Sequence, residues 1–153
     1  MAIYPIEKVG ESKVLRQKAK PVSEVNDTIR TLLDDMAETM YNAEGVGLAA
    51  PQIGISRRII VVDVGDGIIE LINPVLIRGK GKQLGEEGCL SVPGYYANVE
   101  RYKNIVVEGL DRDGYKVQLK ASDFTAVALQ HEIDHLDGVL FIDKAKKEKK
   151  DEK

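Results

Sequence analysis

Only two of the 153 residues are histidine and only one is cysteine. One cysteine cannot close an intramolecular disulfide, and a chain of this length, able to bury about 68–70% of its unfolded surface, needs no such staple. The lone thiol, Cys89, therefore reads as a group for chemistry or a ligand, and a reducing compartment suits it best. No stretch approaches the ~18 consecutive apolar residues of a membrane span. Met1 to Lys13 holds neither an apolar core nor a small-residue cleavage site, the marks of a secretory leader. These absences predict a cytoplasmic protein. No Gly-Lys-Ser/Thr is present, so a phosphate-binding loop is excluded. Asp111-Arg112-Asp113-Gly114 lacks the third acid and the position-twelve Glu of a calcium loop. With no repeats and no long linker, residues 1–153 are expected to form a single domain.

Charge is unevenly spread. The net charge is −3, yet Lys144 to Lys153 holds six lysines against three acids, which leaves the rest of the chain at −6. A basic tail on an acidic body can touch nucleic acid, although a solvated helix end is an equally good account of it.

Periodicity predicts a first amphipathic helix from about Asp27 to Tyr41, with Ile29, Leu32, Leu33, Met36 and Met40 on one stripe, Asn26 as N-cap and Gly45 as its end. The β-branched run Arg58 to Val62 reads as a buried strand, and Ile68 to Ile77 as another, interrupted or bent at Pro74. Gly79, Gly81, Gly85 and Gly88 suggest an irregular crossing. Ile105 to Leu110 and Tyr115 to Leu119 flank an Asp-Gly turn signal and predict a hairpin. A second helix follows, from Ser122 as N-cap to Gly138. The expected fold is α+β, with antiparallel strands packed around this second helix.

Both histidines lie on that helix, in Gln130-His131-Glu132-Ile133-Asp134-His135. A spacing of four puts His131 and His135 on one face, able to hold a single ion with Glu132 beside it. Phe124, Val127, Ala128, Leu129, Ile133 and Leu136 leave little of the helix to face water. Polar groups enclosed there need partners, since an unpaired buried one costs roughly 1–3 kcal/mol, and a metal would satisfy them together. The plainer reading is a pair of polar residues on a solvated face.

A catalytic metal usually has three protein ligands plus water. Beyond Gly138 only Asp143 and the charged tail could supply a downstream acid of the thermolysin kind. Upstream, Glu87-Gly88-Cys89-Leu90-Ser91 places the thiol in a tight segment 42 residues before His131. A metal would hold Cys89 as thiolate, whereas a small buried apolar group is the common fate of one cysteine. A third segment, Gly45-Val46-Gly47-Leu48-Ala49-Ala50-Pro51-Gln52, formally matches a dinucleotide fingerprint. It follows a helix rather than a strand, and Pro51 falls where the new helix should run, so that reading fails. The glycines instead permit close backbone approach by a ligand, with Gln52 as a neutral amide donor.

The three segments, in this order, resemble the peptide deformylase family. The resemblance spans about Gly45 to Phe141. It implies an α+β fold built on a buried His-Glu-x-x-His helix and hydrolysis of the formyl group of N-formylmethionyl peptides on newly made proteins. It further implies Cys89, His131 and His135 as metal ligands, with one Fe2+ per chain expected and Zn2+, Ni2+ or Co2+ as substitutes in purified protein. Sulfur and nitrogen ligands taken alone would point to zinc first. By the same resemblance Glu132 is the general acid–base, and the Gln52 amide and Leu90 N–H stabilise the oxyanion. Val46, Phe124, Val127 and Ala128 are expected to take the methionine side chain, ordinary core packing being the alternative for Phe124 above all. Gly47 and Gly88 lie where the backbone would pair with an extended substrate. An ion pair between Glu87 and Arg101 is implied as a brace for the cysteine segment. Where some relatives carry a substrate-contacting Arg, this chain has Tyr95-Tyr96. The partners expected are nascent chains, with ribosome contact through the lysine tail. Two rivals stay open at this level: a metallopeptidase cutting internal bonds, and a closed structural zinc site completed by an oxygen ligand.

Overall fold

The structure is a computed structural model that describes residues 2–145. Helix α1 spans Asp27–Asn42, and the Asn26 side chain accepts from the Ile29 N–H at 3.1 Å, satisfying one of the free donors of the first turn. The helix outlasts its expected end by one residue. Gly45 does not supply the left-handed turn after it: Glu44 does, with φ 59°, while the Gly45 N–H bonds back to the Met40 carbonyl.

Five strands follow: β1 Gly47–Ala49, β2 Ile59–Val62, β3 Ile69–Cys89, β4 Val92–Leu110 and β5 Lys116–Ser122. They form one antiparallel sheet in the order β1-β2-β3-β4-β5. Helix α2, Asp123–Leu136, packs against one face, and α1 against the other at the β1–β2 end. Ile60 and Val62 join the α2-side core with Ala126, Leu129 and Leu136, while Ile59 and Val61 join Leu33, Met36 and Met40 of α1. That two-sided burial is why β2 is apolar at every position rather than alternating. The fold is thus α+β with an antiparallel sheet and two helices.

Three expectations are corrected. The stretch from Gly79 to Gly88 is no irregular crossing but the distal half of β3, paired with β4 down to Cys89. Two of its glycines sit under aromatic rings of the partner strand: a Cβ on Gly79 would run into Tyr102, and one on Gly88 would lie 2.6 Å from Tyr96. The proximal half is bent as expected, with a register shift between Ile72 and Val75 and φ 54° at Asn73. Ser122 precedes α2 but its side chain makes no capping bond. Phe124, counted among the residues that leave little of the second helix to face water, is 55% exposed on its first turn, so it is not core packing.

Gly138, with φ 75°, stands beyond the C-terminus of α2, and the Leu136 carbonyl accepts from the Ala19 N–H and from Arg58, each at 2.8 Å. Of the lysine tail, Lys144 pairs with Asp134 at 3.0 Å and Ala145 bridges Val99. Residues 146–153 of that tail lie outside the described residues. Among the described residues no helix is long and apolar enough to cross a membrane.

Candidate active site

Three elements deliver the site. Helix α2 brings His131, Glu132 and His135; the end of β3 brings Glu87 and Cys89; a single 3-10 turn after β1, Ala50–Ile53, brings Gln52. One ligand atom each from Cys89, His131 and His135 lies within 4.8 Å of the others. Cys89 Sγ is 3.3 Å from His135 Nε2. Tetrahedral metal bonds of ~2.0–2.3 Å put ligand atoms roughly 3.3–3.8 Å apart, a spacing the Cys89–His135 pair already has, and the sulfur and nitrogen donors have the softness of a transition-metal site.

The surroundings hold the donors in place. His131 Nδ1 lies 3.0 Å from Glu87 Oε1, which leaves Nε2 for a ligand. Arg101 then clamps Glu87 through two bonds of 2.8 and 2.9 Å and reaches Asp134 on α2 at 2.6 Å. Phe141 stacks on His131, with ring centroids 6.0 Å apart. The Gln52 amide oxygen accepts from the Ala49 N–H, fixing which end of the amide faces the site. Gln52 Nε2 is then 3.2 Å from Ser91 Oγ and 3.6 Å from Cys89 Sγ.

Burial and charge shape the titration of these groups. Burial pushes the Glu132 carboxyl up to about 7, and the neighbouring His131 only partly opposes it. One Glu132 oxygen, Oε1, is buried without a hydrogen-bond partner. Burial works against a charged His131, but hydrogen bonds to Cys89 and Glu87 prevail and push it up to about 10. Burial, followed by the His131 charge, holds His135 well below the usual imidazole value. Glu87 stays below the usual carboxylate range despite burial, because Arg101 and His131 bind its charged form.

A cavity of about 470 Å³ opens onto this cluster. Val46, Gly47, Gly88, Leu90, Phe124, Val127 and Ala128 all line it, together with Gln52, Cys89, His131 and Glu132. Every site residue singled out from the sequence except His135 therefore borders one opening. Gly47 has a reason of its own: a Cβ there would sit 2.5 Å from Glu132 Oε2.

The chain matches the family model of polypeptide deformylase over residues 3–151. It belongs to the polypeptide deformylase family. A peptide deformylase of Pelotomaculum thermopropionicum is 56% identical over 146 residues, covering 95% of this chain and 94% of the relative. The crystal structure of the deformylase from Thermotoga maritima superposes with a TM-score of 0.93 at 41% identity, over 96% of this chain and all of that one. That of Synechococcus elongatus, solved in complex with actinonin, gives 0.91 at 43% identity, over 94% and 79% of the two chains. Family members are metal-dependent hydrolases, and the donor set described above is the possible metal site of this one.

Some of the deformylase site was not legible in sequence. Asp134 lies inside the histidine motif, yet nothing local announces that it meets Arg101, 33 residues upstream. The buried Ser91 hydroxyl under Gln52 and the Phe141 ring behind His131 were likewise unmarked. The resemblance implied the Glu87–Arg101 pair, and the structure adds Asp134 as the second carboxylate of an arginine that is only 4% exposed and so requires such partners.

Proposed function

We propose that the chain removes the formyl group from N-formylmethionyl peptides of newly made proteins and releases formate, with Cys89, His131 and His135 holding one divalent metal ion. Fe2+ is the ion assigned to the native enzyme, with Zn2+, Ni2+ or Co2+ able to replace it in purified protein. The observation that carries this reading is the convergence of the three donors beside an unpartnered Glu132 oxygen on one cleft.

A divalent cation held by Cys89, His131 and His135 would supply Lewis acidity and make water acidic enough to lose a proton near neutral pH. Glu132 accepts a proton as the water oxygen bonds to the formyl carbon. Negative charge gathers on the formyl oxygen, where the Gln52 amide and the Leu90 N–H donate; one such donor is worth about 10²–10³ in turnover. The carbon–nitrogen bond then breaks, Glu132 returns its proton to the departing amine, and formate leaves. This positioned proton transfer is worth about 10²–10⁴.

Val46, Phe124, Val127 and Ala128 form the apolar wall for the methionine side chain, and the exposure of Phe124 suits a rim residue that a substrate covers. β1 is an edge strand, paired with β2 on one side only, so the backbone at Gly47 is open to strand addition by an extended peptide, with Gly88 across the cleft. The enzyme works in the cytoplasm on nascent chains, and the lysine tail is a candidate ribosome contact.

The test is formate release from a formyl-Met peptide by protein purified without oxygen and loaded with Fe2+, beside metal-free protein and Glu132→Ala. Metal-dependent release that the variant loses supports the reading. Cleavage of an acetylated or internal peptide bond at a comparable rate, or full activity in Glu132→Ala, overturns it.

A further inference from the structure

A second cavity, of about 480 Å³, lies outside the catalytic cleft. Its lining includes Arg78 and Lys80 of β3, Asn104 of β4, Lys120 and Ser122 of β5, and Thr125 on the first turn of α2. Sheet register explains the grouping. Arg78, Val106 and Lys120 stand opposite one another across three strands, and Lys80, Asn104 and Ser122 form the next row. Opposed residues of antiparallel strands share a face, with strands about 4.8 Å apart and same-face rows about 7 Å apart, so the three cations rise from backbone positions within about 12 Å.

These cations differ from their neighbours. Lys82, Lys103 and Lys116 on the same strands each have an acid, Glu100, Asp123 and Glu108 respectively. Among the described residues, Arg78, Lys80 and Lys120 have no acidic partner, although the chain as a whole carries −3. A concave cluster of unneutralised cations on an acidic protein matches a polyanion, and Arg78 adds a planar fork suited to phosphate.

The two cavities flank the same turn. Phe124 and Val127 line the catalytic cleft, whereas Thr125 lines the basic cavity. A ligand on one side leaves the other open to peptide. We propose that Arg78, Lys80 and Lys120 dock this face on the sugar–phosphate backbone of RNA. The choice of RNA rests on the deformylase reading, since a substrate emerging from a ribosome is met beside an RNA-rich surface. The competing accounts are an anionic membrane surface, and lysines that merely guard the open edge of β5 against strand pairing.

The experiment is fluorescence anisotropy of a labelled 20-base-pair RNA duplex with the full chain between 50 and 200 mM KCl. Three phosphate contacts predict a log–log salt slope of about −2 to −3, a loss of roughly 16- to 64-fold across that range. Arg78→Gln/Lys80→Gln/Lys120→Gln should bind at least ~10-fold more weakly at 50 mM and flatten the slope by about one per residue, with formate release from a short peptide unchanged. A tail variant, Lys146→Gln/Lys147→Gln/Lys149→Gln/Lys150→Gln, should retain that slope component. No RNA binding by the wild type, wild-type binding by the triple variant, loss of all binding in the tail variant, or equal capture by phosphatidylserine vesicles would overturn the proposal. So would self-association of the triple variant with its RNA affinity intact. RNA binding without any formate release would instead separate this proposal from a failed deformylase reading.

Discussion

Replacing Gly47 with alanine should disable the site without disturbing the fold. The Gly47 backbone lies outside the left-handed region, so an alanine can adopt it, and the cost arises only from what the new methyl meets. That methyl would lie 2.5 Å from Glu132 Oε2, 2.9 Å from Cγ and 3.0 Å from Cδ. Carbon atoms pack at about 3.5–4.0 Å, so the carboxylate must retreat by roughly 0.5–1 Å. A misplacement on that scale costs about 10²-fold in rate, equivalent to roughly 2.7 kcal/mol of transition-state stabilisation. Overpacking adds about 1–3 kcal/mol of destabilisation, less where the long Glu132 side chain yields first. The assay is kcat and KM for formate release, with metal content and urea unfolding measured on the same preparation. Lower kcat with unchanged KM and metal content is expected. A raised KM with kcat intact would assign Gly47 to substrate pairing instead, and wild-type kinetics would refute the argument that its missing side chain makes room for Glu132.

Arg101→Met should cost about 3–5 kcal/mol in urea unfolding, because it leaves Glu87 and Asp134 without the guanidinium that pairs with both; a loss under 1 kcal/mol would show that the two acids find other partners. Asn26→Ala should lower stability by about 1 kcal/mol through loss of the cap on α1, and Asn26→Asp should restore it in the same unfolding assay. Chelation should abolish formate release while leaving the far-ultraviolet circular dichroism of the helices and sheet intact. With free metal 1,000-fold above its Kd, the loss of stability is about 4 kcal/mol, read as a fall in Tm. Complete unfolding on chelation would mark the site as structural.

Local rules carried the sequence reading as far as local causes reach. α1 announced itself through its stripe and Asn26, β2 through an unbroken β-branched run, and the β4–β5 turn through Asp113-Gly114, because each depends on residues adjacent in the chain. The distal half of β3 did not, since a run rich in glycine looks like a loop until Tyr96 and Tyr102 are seen to cover Gly88 and Gly79 from the next strand. β1 escaped notice because three residues are too few to show a period, and its burial on both sides belongs to α1 and α2 rather than to itself. The donors and Glu132 were legible from their chemistry, whereas the Arg101–Asp134 contact was not, its two ends being joined only by how α2 lies across β4.

That contact bears on why an ion network is buried here at all. A buried pair rarely improves on well-packed apolar residues of the same volume, so Glu87, Arg101 and Asp134 are poorly explained as a source of stability. Their origins suggest a different role: Glu87 comes from β3, two residues before Cys89, Arg101 from β4, and Asp134 from α2, between His131 and His135. Arg101 is a single rigid fork bonded to both carboxylates, and Glu87 carries the constraint onward to His131 Nδ1. Fixing the fork fixes the sulfur-bearing strand relative to the imidazole-bearing helix, to within hydrogen-bond tolerances that apolar packing would not impose. Cys89 lies 42 and 46 residues from the two histidines, so adjacency in the chain does not hold them together. The network provides that registration, and a site needing placement to ~0.5 Å gives a reason to keep it despite its desolvation cost.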